Sequence, residues 1–265
     1  ADLLPLTWQW LIASGCVWLL MFLCILYALN RYSIFAMLFG IAVTVLLSRF
    51  RVVGHWGAME VMFFFGVMQA TFALTELFGR GITSFAWFVQ RGEFDALILR
   101  PRPLLVQVMV SQLDPRRLGG VSVGVIAVLV AASRLNIQWT LTKALLLAEV
   151  VLGSMLLLLG LFMIEATVSF FSVKSIEMVN VLTYGGRSAC QYPVDVYPGV
   201  LRVLFTYVAP FAMCMHWPVS WVIGEAMVTL PMWGYFLTPL AGVVFFAVMV
   251  RIWYAGVRHY RSTGT

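Results

Sequence analysis

The chain has 265 residues, of which 62% are apolar and only 11% are charged, and its mean hydropathy is +0.96. Because soluble globular domains carry roughly 25% charged residues, this composition excludes an ordinary soluble protein and indicates a chain that faces mostly lipid or other helices. The formal net charge of +6 lies in short segments between apolar runs, so it indicates membrane topology and gives no reason to expect a nucleic-acid partner.

The apolar runs are long enough to predict a multi-pass membrane protein. A membrane-crossing helix needs about 20 mostly apolar residues, and no long polar block separates the runs, so we expect a single transmembrane domain over residues 1–265. The predicted spans are residues 8–29, 32–48, 58–78, 118–133, 144–173, 176–190 and 234–255.

Residues 200–229 are also apolar, but prolines interrupt them. Proline breaks helices, so this stretch predicts short pieces that enter and leave the membrane by the same face. The interrupting or flanking prolines are Pro198, Pro210, Pro218 and Pro231.

Arginines crowd two places, the segment between residues 78 and 118 and the C-terminal end. Positively charged loops face the cytoplasm, so both places are expected there and residues 200–229 are expected outside. Residues 8–29 leave two alternatives open. If they span, the chain crosses seven times; if they lie along the cytoplasmic interface, it crosses six times.

The most charged short segment is Arg91-Gly-Glu-Phe-Asp-Ala-Leu-Ile-Leu-Arg-Pro-Arg-Pro103, which holds five of the 28 charged residues (17 basic and 11 acidic). Apolar residues at helix-like spacing predict one surface helix over residues 85–99, ended by Pro101 and Pro103. Such a helix has two interpretations: it caps the bundle, or it docks a cytoplasmic partner. Charges of both signs suit docking, because a partner with complementary charges can pair with them in one defined position. Its expected apolar side is Phe85, Phe88, Val89, Phe94, Leu97 and Ile98, and its expected polar side is Arg91, Glu93 and Asp95.

This charged segment, followed by Gln107 and Asp114, resembles the loop of the ABC type-2 exporter permeases. More narrowly, it is similar to the subfamily labelled ABC-2 family transporter protein. Further similar segments follow in the same order along the chain. They are Gly54-His-Trp56 with Glu60, Gln191-Tyr-Pro193 with Tyr197-Pro198, Phe205-Thr-Tyr-Val-Ala-Pro-Phe211 and Tyr254-Ala-Gly-Val-Arg-His-Tyr-Arg-Ser262.

The resemblance implies an all-α integral membrane fold of six spanning helices, with a cytoplasmic coupling helix and re-entrant helices at the outer face. Residues 8–29 would be an extra hydrophobic helix. The coupling helix would dock on an ATPase subunit through Phe88, Arg91, Gly92, Glu93, Phe94, Asp95, Leu97 and Arg100. The outer gate would include Tyr192, Pro193, Pro198, Pro210 and Phe211.

The resemblance also implies the assembly and the location. A full transporter would contain two permease chains, identical or homologous, and two separate ATPase subunits in a bacterial cytoplasmic membrane. Related members export small hydrophobic or cationic compounds.

An independent observation agrees that the energy source lies elsewhere. A phosphate-binding loop needs the pattern Gly-x-x-x-x-Gly-Lys-Ser/Thr, and neither lysine of the chain, Lys143 or Lys174, follows such a loop. We therefore expect no cofactor and no catalytic site in this chain, and we expect ATP and Mg²⁺ to be bound by a partner subunit.

Metal and thiol chemistry have little support in the sequence. The histidines His55, His216 and His259 form no metal-binding motif, although the first two are both expected at the outer side and could meet there. Cys190 and Cys214 leave a disulfide open as an alternative to two free thiols.

Four glutamates fall within predicted spans, where charges are costly and often functional. Glu60 and Glu76 lie near opposite ends of one span, from which they can reach the interfaces. Glu149 and Glu165 lie deeper and are about 160° apart on an ideal helix. Both are candidates to line the translocation path, with Glu165 the better one; the alternative is a structural bond to another helix.

The function best supported by the sequence is therefore the permease subunit of an ATP-driven exporter. Two alternatives remain, a membrane-embedded enzyme that modifies lipids and an accessory membrane subunit with no path of its own. The first would need clustered catalytic side chains, which the sequence does not show.

Overall fold

A computed structural model describes residues 55–170 and 181–260, and every regular element in these ranges is helical. The predicted spans at residues 8–29 and 32–48, and the first part of 176–190, lie outside the described residues. We number the described α-helices α1 (Ala58–Thr83), α2 (Phe85–Gln90), α3 (Glu93–Ile98), α4 (Leu104–Ser111), α5 (Leu118–Arg134), α6 (Leu141–Val168), α7 (Gly186–Cys190), α8 (Gly199–Val203), α9 (Trp217–Ile223), α10 (Met232–Leu237) and α11 (Leu240–His259).

Four described segments are long and apolar enough to cross a membrane. They confirm the predicted spans at 58–78, 118–133, 144–173 and 234–255, with shifted ends: α1 continues to Thr83, and α6 begins at Leu141 and ends at Val168. The segments are Ala58–Gln90, Pro115–Arg134, Leu141–Val168 and Met232–His259.

Local hydrogen bonds fix where the long helices begin. At the start of α1, the Gly57 N–H donates to Glu60 Oε2 at 2.8 Å, so this carboxylate satisfies an N–H that the helix leaves unpaired. At the start of α6, the Thr140 hydroxyl accepts from the Lys143 N–H at 3.4 Å. The Lys143 ammonium in turn donates to the Val222 carbonyl at 2.9 Å, which joins α6 to the end of α9.

The spanning helices pack side by side in the order α5, α1, α6, α11. The contact between α6 and α11 is made without side chains at its closest point, since a Cβ added to Gly242 would lie 2.0 Å from the Gly153 carbonyl oxygen. Small residues allow this approach of two backbones in a membrane, where dispersion contacts between helices replace the hydrophobic effect.

We expect Gly242→Ala to destabilise the folded protein by about 1–3 kcal/mol, because the new methyl group meets rigid backbone and forces α6 and α11 apart. The measurement is unfolding in mixed detergent micelles. Gly199→Ala is the matched control, because a Cβ at Gly199 meets nothing within 4 Å. Equal stability of the two variants would contradict this account of the α6–α11 contact.

The proline-interrupted stretch is broken as predicted. Its two pieces, Gly199–Val208 and Ala212–Ile223, meet at an angle of 80°, with Pro210 at the bend. Helices rise 1.5 Å per residue, so each piece is only about 15–18 Å long and is too short to cross a bilayer of ~30 Å by itself.

The bundle has two chemically different ends. The basic end holds α2, α3, α4 and the last turn of α11, and the opposite end holds Trp56 and the turn Val194–Val196. At the opposite end, the Trp56 Nε1–H donates to both oxygens of Asp195 at 3.1 Å, and His55 Nε2 lies 3.4 Å from the same carboxylate. These bonds join the start of α1 to the segment that follows α7.

Candidate functional site

Residues 85–98 at the basic end fold as two short helices, α2 and α3, which corrects the prediction of one helix over residues 85–99. The break is at Arg91 and Gly92, and Gly92 takes φ 69°, a left-handed conformation that glycine adopts without strain. On one continuous helix, Phe85 and Phe94 would lie about 180° apart, since nine residues advance 100° each. The turn brings both rings to the same side.

Those two rings are the centre of a basic-end aromatic cluster. The centroids of Phe85 and Phe94 are 4.9 Å apart, and the rings meet edge to face. Phe85 also contacts Trp253 of α11 at 5.6 Å, and Phe94 contacts Tyr260 at 5.0 Å. The cluster consists of Phe85, Phe94, Phe170, Trp253 and Tyr260.

The other side of the two helices faces outward and carries both signs of charge. Arg91 and Glu93 form an exposed ion pair of 3.8 Å, with side chains 64% and 52% exposed. The Arg91 guanidinium also lies 5.5 Å from the ring centre of exposed Trp87. Arg100, Ile98 and Leu99 are exposed too, so Ile98 does not belong to a buried face as the helical spacing predicted.

The predicted docking residues therefore separate into two groups. Arg91, Glu93 and Arg100 are exposed, whereas Phe94 is fully buried and no partner can contact it. The rest are partly buried. Among them, Phe88 and Leu97 pack against the core, Gly92 forms the turn, and Asp95 lies beside Tyr260. Burial and the Asp95 carboxylate together raise the pKa of Tyr260.

A buried ion pair fastens the end of this loop to α1. Arg117 Nη1 lies 2.7 Å from Oε2 of Glu76, whose side chain is only 3% exposed, and Arg117 Nε lies 3.5 Å from Asp114. The Asp114 N–H also donates to the Leu77 carbonyl at 3.4 Å. Glu76 is therefore shielded from water by the protein, and its carboxylate pairs with an arginine of the basic loop.

Arg187, the second residue of α7, was not among the predicted site residues. Its Nη2 donates to the Gln69 side-chain oxygen of α1 at 2.7 Å, and its guanidinium lies 4.0 Å from the ring centre of Phe72. The signal was present in the sequence, since an arginine inside the predicted span 176–190 is as unusual as a glutamate.

The two candidate path carboxylates of α6 are in different surroundings. Glu165 is buried and accepts a 2.5 Å hydrogen bond from the Thr183 hydroxyl, which joins α6 to the turn before α7. Glu149 is half-buried, and sixteen residues put it about 24 Å away along the helix axis. The structure does not bring the two carboxylates together.

The predicted outer-gate residues lie along the stretch from α7 to the 80° bend. Pro210 and Phe211 are buried at the bend, Pro193 is buried before the turn Val194–Val196, Tyr192 is partly buried, and Pro198 is exposed at the start of α8. A cavity of about 360 Å³ opens nearby, but it is lined by other residues, including Asp195, Arg202 and Tyr207.

The histidines and cysteines form no reactive group in the part of the chain that is described. His55 is exposed at Asp195, while His216 is buried with Nε2 3.0 Å from the Cys190 carbonyl, and the rings of Trp56 and Phe64 connect the two. Cys190 and Cys214 are both buried free thiols. Residues 55–170 and 181–260 contain no group of three side chains able to hold a metal ion.

Comparison with known families identifies the chain's family. The sequence model of the family described as ABC-2 family transporter protein matches residues 32–264, which include every described helix. No curated protein and no solved structure matches the chain.

Proposed function

The chain belongs to the family of ABC-2 family transporter proteins, so it is a multi-pass membrane permease, and we propose that it is the permease subunit of an ATP-driven exporter. In this proposal it forms the translocation path with a second permease chain, identical or homologous. Separate ATPase subunits bind ATP and Mg²⁺ and supply the energy. The assembly lies in a bacterial cytoplasmic membrane.

The observation that carries this proposal is the two-sided unit of α2 and α3. Its outer side presents Arg91 and Glu93 to water, and its inner side inserts Phe85 and Phe94 among side chains of the spanning helices. Close-packed interiors transmit displacement because they compress little. A partner that moves the exposed side would therefore move α11 and the end of α6 with it.

The proposal also includes a translocation path through the membrane. We place Glu165 and Glu149 along it as candidate lining carboxylates, and we assign the segment from Tyr192 to Phe211 to the external gate. The bend at Pro210 supports a gate, since two short helices that meet at 80° can move without unfolding a full span.

The test is charge reversal on the exposed side of this unit. We expect Glu93→Lys to reduce the amount of ATPase subunit that co-purifies with the permease by about tenfold, because complementary charge sets register and excludes wrong contacts. Its ion pair with Arg91 is exposed and contributes at most about 1 kcal/mol, so the variant should fold normally.

Arg134→Glu is the matched control, because Arg134 is an exposed charge at the far end of α5. This variant should keep the ATPase subunit bound. The docking role of α2 and α3 would be refuted by two results together. Glu93→Lys protein would retain wild-type amounts of ATPase subunit, and its ATP-dependent transport in reconstituted vesicles would be unchanged.

A further inference from the structure

Arg187 is a charged side chain inside a predicted membrane span, where burying a charge costs free energy. Its partner Gln69 lies eleven residues inside α1, about 16 Å from the start of that helix. Ionisable groups at such depth are costly and usually mark a binding site or a transport path. The proposed exporter mechanism described above assigns Arg187 no role.

Only some of the hydrogen-bond donors of the Arg187 guanidinium have an acceptor among the described residues. Its hydrogen-bond acceptor is the neutral amide of Gln69. Its Nε–H is buried and has no partner within residues 55–170 and 181–260. The nearby carboxylate of Glu76 attracts Arg187, but it is held 2.7 Å from Arg117. Arg187 therefore retains donor capacity that a negatively charged group can use.

The surroundings suit the headgroup of an amphiphile. Phe72 lies against the guanidinium at 4.0 Å, and the Tyr184 ring packs against Phe72 at 5.8 Å, which provides an aromatic surface beside the charge. On the same short helical segment, Gly185 and Ser188 are exposed and small. Phe72 itself is buried and supports the guanidinium from inside the protein. A bound molecule can thus approach the segment closely and place an apolar body against the partly buried Tyr184 ring.

We propose that Arg187, supported by Gln69 and Phe72, binds the anionic headgroup of an amphiphilic cargo. This inference rests on the proposed export function, because it names the chemical class of the exported molecule. A guanidinium has donors and no acceptor, so it selects carboxylate, sulfonate or phosphate groups and repels cations.

The test uses three probes that share one hydrocarbon body: pyrenebutyrate, pyrenebutanol and pyrenebutyltrimethylammonium. Their binding to the full chain is measured by fluorescence anisotropy in nanodiscs of zwitterionic phosphatidylcholine. We expect wild-type protein to bind the anionic probe about tenfold more tightly than the other two, as one hydrogen bond to a charged group predicts.

Two variants should abolish this preference by different routes. Arg187→Gln removes the charge, and Gln69→Glu keeps the size of the side chain while it gives Arg187 an internal carboxylate. Arg187→Lys should retain most of the preference. Arg202→Gln is the control, because Arg202 is an exposed arginine that bonds backbone carbonyls near the opposite end. Gln69→Glu also keeps the test valid if Arg187→Gln does not fold.

Equal binding of the three probes by wild-type protein would overturn the anion site, as would a preference that survives Gln69→Glu. Displacement of pyrenebutyrate by phosphatidylglycerol added to the nanodiscs would assign the site to a membrane lipid and overturn the assignment to cargo. ATP-dependent movement is measured separately in vesicles with the ATPase subunits. Anion preference without such movement would overturn the proposed export function and leave the site intact.

Discussion

Arg117→Met is expected to destabilise the folded protein by about 3 kcal/mol, because it leaves a buried carboxylate without its half-buried cationic partner. The substitution leaves the Glu76 carboxylate, 3% exposed, without its 2.7 Å partner. It also frees the loop before α5, because Arg117 bridges Glu76 and Asp114. The free energy of unfolding in mixed micelles measures the effect.

A second substitution tests the cause of this loss of stability. Adding Glu76→Gln to Arg117→Met should recover most of the lost stability, because a neutral amide is cheaper to bury than an unpaired carboxylate. Arg116→Met is the matched control, since Arg116 is the adjacent, exposed arginine. A double variant no more stable than Arg117→Met would contradict the assignment of the lost stability to an unpaired, buried carboxylate.

Phe94→Ala is expected to cost about 3–5 kcal/mol, the usual range for a buried phenylalanine replaced by alanine. Phe94 is fully buried and contacts Phe85, Phe170 and Tyr260. Its removal detaches α3 from the ends of the spanning helices. On the proposed function, the variant should still bind ATPase subunits through its exposed charges but should lose ATP-dependent transport.

The control is Leu99→Ala, whose side chain is 85% exposed in the wild-type protein. Its unfolding free energy should stay within about 0.5 kcal/mol of wild type, as for most surface substitutions. If Phe94→Ala protein kept wild-type transport, movement of the ATPase subunits would not reach the spanning helices through the basic-end aromatic cluster. Loss of the bound ATPase subunit as well would place Phe94 in the folding of the docking surface instead.

Properties of single segments were predictable from sequence. The length and hydropathy of residues 58–78 and 118–133 are local quantities, and the helices found there follow them. The break in residues 200–229 was predictable for the same reason, because proline cannot continue a helix. The charged segment at residues 91–103 and the family resemblance also needed only sequence.

Relations between segments were not predictable in this way. The spacing of Phe85 and Phe94 was interpreted as one helical face, although nine residues advance half a turn beyond whole turns. Only the left-handed Gly92 and the aromatic partners Trp253 and Tyr260, on α11 and directly after it, decided that both rings point inward. The pairing of Glu76 with Arg117 likewise depends on the loop folding back over α1.

The charged side chains in the spanning segments show the same difference between what sequence determines and what tertiary structure determines. The sequence by itself determined that this is a polytopic, all-helical membrane protein with a charged loop and a few ionisable side chains in its spans, because hydrocarbon thickness and transfer cost act on each segment separately. The tertiary structure alone decided which charges pair with an opposite charge and which are held by neutral groups, because that depends on contacts between segments distant in sequence. Glu76 is held by Arg117, Glu165 by Thr183, and Arg187 by a neutral amide.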